Sequence, residues 1–395
     1  MAVDSHVTSM IGRRVDGGHP VEVRLDGARI ASVSPVDVLD GDADALPWLA
    51  PGLVDLQVNG FAGIDFNGDA LSVDRLGDLV RAVMAVGTTT FLPTVTTADP
   101  GAIEDRLRAI AAAVTESPHV AGAVAGIHLE GPFISPEDGP RGAHPAGQVR
   151  PPDWGLFQRW QLAAGGLIRI VTLSPEWPEA ATFIARCRAT GVIPAIGHTA
   201  ATPEQIREAV AAGAKLTTHF GNGAHPVLAR HPNYLWEQLA ADELWASMIA
   251  DGAHLPESVL KVVLRVKGDR AILVSDTVDL AGMAPGMYPR TIGGQVVLTG
   301  EGRLHLASDP RLLAGSVRPL LDGVTHLVRA GLAPLGRAWA MASTGPATVA
   351  GLPSRAGLTA GAPADLVLFR ERGGRLDLEQ VVKSGQVVLS ARLVA

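Results

Sequence analysis

Eight apolar runs of strand length are the feature of this sequence that most limits how it can fold. The runs span residues 52–58, 87–97, 122–130, 167–174, 192–198, 215–220, 246–251 and 271–276. Amphipathic segments lie between most of them, such as DRLGDLVRAVMAVG, EDRLRAIAAAVTE and TPEQIREAVAAG. Continuous apolar strands that alternate with helices are typical of parallel sheets covered on both faces. We therefore expect an α/β protein with a (β/α)8 TIM-like barrel, and a doubly wound open sheet is the alternative.

Both ends of the chain show a different pattern, in which apolar and polar residues alternate. VEVRLDGARIASVSP near the start reads as a hairpin with its turn at Asp26 and Gly27. ADLVLFRERGGRLDLEQVVKSGQVVLS near the end reads in the same way. We predict that residues 1–50 and 348–395 form one small β-sandwich domain, with the barrel, residues 51–347, inserted between them.

Composition and charge exclude several kinds of partner. The net charge of -7 and the pI of about 5.9 argue against binding to nucleic acid or to an acidic membrane surface. No apolar run approaches the ~18 residues of a membrane span, and the first residues lack the apolar core of a signal peptide. Cys187 is the single cysteine, so the chain forms no internal disulfide, and we expect it in the reducing cytoplasm.

Polar, chemically capable side chains follow five of the eight apolar runs. The segments are GIHLEGPF, PAIGHTAA, LTTHFGNGAHP, MIADGAHLP and ILVSDTVD, which carry Glu130, His198, His219, Asp251, His254 and Asp276. Active sites of (β/α)8 barrels lie at the carboxyl ends of the strands, so these side chains are expected at one rim. His128 shares the inward face of its strand with Glu130 and is expected to pack behind it.

The residue types at this rim indicate a metal site. Glu130, His198 and His219 offer one carboxylate and two imidazoles, a set that holds a catalytic Zn²⁺ with a position left for water. Such an ion lowers the pKa of bound water from 15.7 toward about 7, and Asp276 could accept the released proton. Taken singly, Glu130 could instead pair with a buried arginine, and Asp276 could cap a helix. Together they favour the hydrolysis of an amide or a related bond.

The same segments resemble a known family, the N-acetylglucosamine-6-phosphate deacetylases of the amidohydrolase superfamily. The resemblance covers about residues 51–369 and rests on motifs that occur together and in order: PGLVDLQVNG, HLEGPF, GHTAAT, THFGNGAHP, ADGAHL, LVSDTVDLAG, LAGS and LTAGAPADLVLF. It implies a barrel of the amidohydrolase type with one divalent metal per chain on Glu130, His198 and His219. The metal would be Zn²⁺, with Fe²⁺ as the alternative. Asp276 would act as general base and then as general acid.

The resemblance also implies how the substrate, an amino sugar phosphate, is held. His144 in RGAHPAG would polarise the acetyl carbonyl, and His254 with Arg230 would bind the phosphate. Arg230 would reach in from the second subunit of a homodimer. The remaining substrate-binding positions would be Ala143, Asn222, Gly223, Asp251, Leu313, Ala314 and Gly315.

Gln57 and Asn59 occupy the place where many amidohydrolases carry two metal-binding histidines. Residues two apart on a strand point to the same side, so both amides should face the site. Amides bind Zn²⁺ weakly and are better suited to hydrogen bonding. We therefore predict one metal per chain, with the second metal position vacant.

The loop after the sixth run departs from the family pattern, because HFGNGAHP replaces the usual H-L-Y/F-N-A-M and adds His225, with His231 a few residues on. Three functions remain open at this point. The first is deacetylation of N-acetylglucosamine 6-phosphate, and its variants act on the galactosamine epimer or on an unphosphorylated sugar. The second is hydrolysis of an N-acyl amino acid or a cyclic amide. The third is a barrel that has lost catalysis and serves for binding.

Overall fold

The computed structural model describes residues 7–38, 43–68, 71–290 and 294–390. We number the strands and helices of these residues along the chain. The strands are β1 (Ser9–Arg14), β2 (Pro20–Asp26), β3 (Arg29–Pro35), β4 (Trp48–Pro51), β5 (Leu53–Val58), β6 (Gly60–Phe61), β7 (Ile64–Asp65), β8 (Thr88–Thr96), β9 (Ile127–Glu130), β10 (Ile168–Leu173), β11 (Ile193–Ile196), β12 (Leu216–Thr217), β13 (Trp245–Met248), β14 (Ala271–Leu273), β15 (Gly286–Arg290), β16 (Gly294–Leu298), β17 (Leu304–Leu306), β18 (Leu366–Arg372), β19 (Arg375–Lys383) and β20 (Gln386–Ser390).

The helices lie mainly between the strands of the barrel. They are α1 (Val73–Ala85), α2 (Pro100–Glu116), α3 (Pro118–Ala123), α4 (Trp154–Ala163), α5 (Ala180–Ala189), α6 (Pro203–Ala212), α7 (Tyr234–Ala240), α8 (Glu257–Lys267), α9 (Leu320–Arg329), α10 (Leu335–Met341) and α11 (Thr344–Val349). No helix in the described part of the chain is both long and apolar enough to span a bilayer.

Strands β5 and β8 to β14 form a parallel eight-stranded sheet in chain order. Its two edges meet, because Val58 pairs in parallel with Thr277, and the backbone N–H groups of Asn59 and Gly60 donate to the Thr277 carbonyl at 2.8 and 3.0 Å. The eight apolar runs are therefore the eight strands of a barrel, and the alternative of an open doubly wound sheet is wrong.

The ends of helix α6 follow from residues that favour the start and the end of a helix. Thr202 and Gln205 form a capping box at its start, and Pro203 occupies the first turn, where its missing N–H costs nothing. Gly213 ends the helix at φ +115°, a left-handed backbone that favours glycine. Ile206 and Ala209 face the barrel and are buried. Capping and burial together fix where this helix begins, ends and packs.

Both ends of the chain contribute to one seven-stranded sheet, with strand order β20-β19-β18-β4-β1-β2-β3. The link between the two ends is β4, which pairs in parallel with β1 and antiparallel with β18. Lys383 joins this sheet to the barrel, since its Nζ donates to Asp365 at 2.7 Å and to Thr90 of β8 at 3.2 Å.

A three-stranded antiparallel sheet, β15 to β17, follows the last barrel strand and was not anticipated from the sequence. It returns the chain to the barrel rim, where Ser316 pairs with Thr277. The turn before that pair contains Leu313, Ala314 and Gly315. Gly315 has φ +114°, and a Cβ there would lie 2.7 Å from Val278, so the close approach of this turn to the rim requires glycine.

Candidate active site

The predicted metal ligands and the predicted general base meet at the carboxyl end of the barrel. Glu130 is the last residue of β9, whereas His198 and His219 lie two residues beyond β11 and β12. Asp276 lies three residues beyond β14. His198, His219 and Asp276 have φ values of +49°, +28° and +51°, a left-handed backbone that residues other than glycine rarely adopt. Such strain is concentrated at functional sites, where the surrounding structure holds the residue in place.

Glu130, His198 and His219 bring three ligand atoms to one point. The Oε1 atom of Glu130 lies 2.9 Å from Nε2 of His219 and 3.2 Å from Nε2 of His198, and the two nitrogens are 3.1 Å apart. Burial raises the pKa of Glu130, but its contacts with the two histidines outweigh this and hold the pKa well below its usual value. Burial also lowers the pKa of His219, yet the contact with Glu130 raises it to about 8.

These donors fit a divalent cation. The Nδ1 atom of His198 lies 2.8 Å from the Pro140 carbonyl, to which it donates its proton, so a neutral His198 presents a bare lone pair on Nε2. That lone pair faces the Nε2 atom of His219 and the carboxylate of Glu130. Three electron-rich atoms in contact repel one another unless a proton or a cation lies between them, and this carboxylate–imidazole set suits Zn²⁺.

His144 lies at the edge of the same cluster. Its ring is 4.5 Å from the ring of His198, and the ligand atoms of Glu130, His144 and His198 all fall within 4.8 Å of one another. Burial, reinforced by the neighbouring His198, lowers the pKa of His144 to about 3, so its imidazole is neutral. Its Nδ1 atom lies 2.8 Å from the Thr97 hydroxyl. His144 could therefore ligate a metal or present its Nε2 atom to a substrate.

Asp276 is placed to accept a proton. Its Oδ1 atom accepts a hydrogen bond from Nδ2 of Asn59 at 2.7 Å, and its backbone N–H donates to the Gln57 carbonyl at 3.0 Å. Burial and then the charge of Glu130 raise the pKa of Asp276 to about 6. A carboxylate with a pKa near the working pH is an effective general base.

Gln57 and Asn59 make hydrogen bonds to the two carboxylates of the site. Gln57 donates from Nε2 to Glu130 at 3.0 Å, just as Asn59 donates to Asp276. The amide oxygens of both residues are buried and lack hydrogen-bond partners among the residues that the structure describes. Both side chains thus face the site, as their spacing predicted.

Asp55 was missed from the sequence, although a carboxylate within the apolar run GLVDLQV was the available signal. It is buried beneath the rim and accepts hydrogen bonds from the backbone N–H of Ser275 at 3.1 Å and of Gln57 at 3.2 Å. Burial raises the pKa of Asp55 to about 7. It ties the first barrel strand to the segment that carries Asp276.

Asp251 orients His254. Its Oδ2 atom contacts Nδ1 of His254 at 2.8 Å, and its Oδ1 atom accepts from the backbone N–H groups of Ala253 and His254. Burial raises the pKa of Asp251, but the hydrogen bond and the charge of His254 outweigh this effect, so the pKa lies below its usual value. The proton on Nδ1 of His254 therefore points to Asp251, and Nε2 remains for a ligand.

The other predicted substrate contacts lie in loops around the cluster. Asn222 turns back on its own loop, with Nδ2 3.3 Å from the His219 carbonyl. Gly223 has φ +59° and packs against His198, where a Cβ would lie 2.6 Å from Nδ1. Ala143 and Arg230 are exposed. Arg230 makes no hydrogen bond or ion pair with the residues that the structure describes, so no such contact joins it to the cluster.

His128 packs behind the site as the sequence predicted. Its Nδ1 atom lies 3.0 Å from the Leu56 carbonyl, and its Nε2 atom lies 2.7 Å from the Thr172 hydroxyl. Burial lowers the pKa of His128 to about 4, so the ring is neutral and links strands across the barrel interior.

Known proteins resemble this chain over most of its length. The family model described as the amidohydrolase family matches residues 48–388. The chain is 37% identical over 282 residues to the N-acetylglucosamine-6-phosphate deacetylase of Bacillus subtilis (strain 168), which covers 71% of this chain and 69% of that protein. It is 35% identical over 350 residues to the protein of the same name from Bos taurus, with coverage of 86% and 83%.

Solved structures give the same result. N-acetyl-D-glucosamine-6-phosphate deacetylase from Mycobacterium smegmatis superposes with a TM-score of 0.84 at 29% identity, covering 97% of this chain and 100% of that one. A mutant of that protein, solved in complex with N-acetyl-D-glucosamine-6-phosphate, gives a TM-score of 0.83. With this fold, these relatives and the matched family model, the chain belongs to the N-acetylglucosamine-6-phosphate deacetylase family of the amidohydrolases.

Proposed function

We propose that this chain is a metal-dependent hydrolase that converts N-acetylglucosamine 6-phosphate to glucosamine 6-phosphate and acetate. The observation that carries the proposal is the convergence of Glu130, His198 and His219 on one point beside the general-base candidate Asp276. The names of the relatives support the substrate, and so does the substrate complex of the Mycobacterium smegmatis protein.

Glu130, His198 and His219 would hold one divalent metal, for which we propose Zn²⁺. When bound, such an ion activates water and polarises a carbonyl oxygen. Gln57 and Asn59 would leave the second metal position vacant, because their N–H groups already donate to Glu130 and Asp276.

Asp276 would move the proton of the reaction. Its carboxylate accepts a proton from the attacking water as the water oxygen bonds to the acetyl carbon. The same proton then passes to the sugar nitrogen as the carbon–nitrogen bond breaks, which releases the amine and acetic acid, and the acid then ionises to acetate. Because Asn59 fixes the Oδ1 atom of Asp276, the Oδ2 atom remains to carry the proton.

His144 would polarise the acetyl carbonyl. If the Thr97 hydroxyl donates to Nδ1 of His144, the imidazole keeps its proton on Nε2 and can donate it to the carbonyl oxygen. The low pKa of His144 keeps the ring neutral, so the proton is shared in a hydrogen bond and not transferred.

His254 would bind the phosphate with the free Nε2 side of its ring, and Arg230 would bind it from a second subunit. Ala143, Asn222 and Gly223, together with Asp251 and the turn of Leu313, Ala314 and Gly315, would complete the sugar site. The exposure of Arg230 supports the homodimer, as do the side chains of Val227 and Trp236 in the same region, which are 85% and 54% exposed. The single cysteine supports a cytoplasmic location.

An acetate-release screen tests the proposal. The purified protein, with Zn²⁺ or Fe²⁺ restored, is assayed on N-acetylglucosamine and N-acetylgalactosamine, each with and without a 6-phosphate. We expect the highest kcat/KM on N-acetylglucosamine 6-phosphate. Arg230→Ala should raise KM for the phosphorylated sugar alone. Release of no acetate from any of the four sugars would refute the proposal, and a preference for another of them would correct the substrate.

A further inference from the structure

Two loops enclose the His198 imidazole. The loop after β9 supplies the Pro140 carbonyl, which accepts the Nδ1 proton of His198 at 2.8 Å. The loop after β12 supplies Gly223, and Gly142 of the first loop lies against the same ring. A Cβ at Gly223 or Gly142 would approach the ring to 2.6 or 3.4 Å. The position of His198 therefore depends on how these two loops are held together.

Three side chains in contact with one another join the two loops, and we name them the Glu137–His225–Tyr234 clasp. The Tyr234 hydroxyl accepts the backbone N–H of His225 at 2.8 Å and lies 3.0 Å from Nδ1 of the same residue. The hydroxyl proton of Tyr234 is then free to point at Nδ1 of His225, which leaves the imidazole proton of His225 on Nε2. That proton faces Oε2 of Glu137 at 3.0 Å.

The clasp runs from the core to the surface. Tyr234 is buried at the start of α7, the His225 side chain is 25% exposed, and the Glu137 side chain is 59% exposed. The backbones also touch, because a Cβ at Gly139 would lie 3.2 Å from the Cα of His225. The second loop is thus anchored in the core, and it offers the first loop one charged attachment point.

Glu137 begins the turn that carries Pro140 and His144. The backbone N–H of Arg141 donates to the Glu137 carbonyl at 2.9 Å, and the Arg141 guanidinium donates to the His144 carbonyl at 2.8 Å. Restraint applied at Glu137 is therefore passed along one hydrogen-bonded turn to the Pro140 carbonyl, which fixes His198, and to the backbone of His144.

We propose that the clasp is a positioning device that holds the Pro140 carbonyl against His198 and so slows the loss of the metal. The inference rests on the proposed metal site. In the clasp, His225 has a structural role that is separate from the steps of the proposed reaction. An exposed ion pair contributes at most about 1 kcal/mol to stability, so the clasp should act on the site and leave the melting temperature nearly unchanged. Groups that orient a metal ligand, in contrast, commonly affect metal affinity by about 10–100-fold.

The test measures how fast Zn²⁺ leaves the loaded protein in the presence of excess chelator, together with kcat, KM and the melting temperature. Glu137→Ala and His225→Phe should each release Zn²⁺ about threefold to tenfold faster, a smaller effect than for a group in direct contact with the ligand. Glu137→Gln should restore near-normal release, because its side-chain oxygen still accepts the proton on Nε2 of His225. The control is Glu237→Ala. Glu237 lies on α7, the helix that begins at Tyr234, and the substitution breaks its 2.9 Å ion pair with Arg207 of α6.

The outcomes separate this inference from the proposed function. The double variant Glu137→Ala/His225→Phe should release Zn²⁺ no faster than the faster single variant, because both remove the same contact. Release rates within twofold of wild type, or equal to the control, would overturn the clasp and leave the proposed function standing. A wild-type protein that takes up neither Zn²⁺ nor Fe²⁺ would overturn both.

Discussion

Replacing Asp276 with Asn should abolish most of the activity without disturbing the site. The carbonyl oxygen of the new amide can still accept the 2.7 Å hydrogen bond that Asn59 now gives to Asp276, so the geometry is retained. What is lost is the proton acceptor, and general base catalysis contributes about 10²–10⁴ in rate. At 1.36 kcal/mol for each factor of ten, this is about 3–5 kcal/mol of barrier.

The assay for Asp276→Asn is kcat for acetate release at pH 7.5, with metal content measured on the same preparation. We expect kcat to fall by at least about a hundredfold with unchanged metal content. The companion variant Asn59→Ala removes only a hydrogen bond to a charged group, worth about 1.5–3 kcal/mol, and should cost about tenfold to a hundredfold. If Asp276→Asn keeps more than a tenth of wild-type kcat at full metal content, Asp276 is not the base.

The pH dependence of wild-type kcat/KM is a second test of the role of Asp276. The proposed base Asp276 would act only when deprotonated, and its pKa is raised to about 6, so kcat/KM should fall as the pH falls through that value. The charge of a bound metal lowers this pKa, which places the fall at or below about pH 6. This acid limb should be absent from the residual activity of Asp276→Asn, and its persistence there would assign it to another group.

The remaining predictions concern packing. Gly223→Ala places a Cβ 2.6 Å from His198 and should lower metal content and kcat, measured together, by at least about tenfold. Lys383→Ala leaves the nearly buried Asp365 carboxylate without its cation and should cost about 3 kcal/mol in urea unfolding, with kcat unchanged. Cys187 is buried, which raises its pKa to about 12, so it should not react with a disulfide reagent at pH 8 until the protein is unfolded.

Matched controls make these packing results interpretable. Gly147→Ala adds a Cβ that meets nothing within 4 Å, so metal content and kcat should stay at wild-type values. Arg81→Ala breaks an exposed ion pair with Asp78 and should cost no more than about 1 kcal/mol. Equal losses in test and control variants would contradict the reasoning, and so would rapid labelling of native Cys187.

The barrel and the centre of the site were predictable because their signals are local. Each strand is an apolar run, and five of the eight runs have a chemically capable residue at or just after their end, so Glu130, His198, His219 and Asp276 stand out as candidates in the sequence itself. A carboxylate or imidazole that ends a buried strand is costly without partners, which is why such a pattern points to a site.

What could not be predicted depends on contacts between distant segments. Asp55 looks like one polar residue in an apolar strand until Ser275 is found to donate to it across the barrel seam. His225 was noted as an extra histidine, yet its contacts with Glu137 and Tyr234 join two loops that no periodicity relates. The sheet of β15 to β17 was overlooked in a segment whose signals of strand and turn are short.

The metal content of the purified, fully active protein tests the account most directly. Glu130, His198 and His219 converge on a single point, whereas the amide N–H groups of Gln57 and Asn59 donate to Glu130 and Asp276. We expect about one divalent ion per chain, removed by chelator together with all acetate release and restored with it by Zn²⁺ or Fe²⁺. A count near two would contradict the single-metal site, and full activity in protein free of metal would contradict the account as a whole.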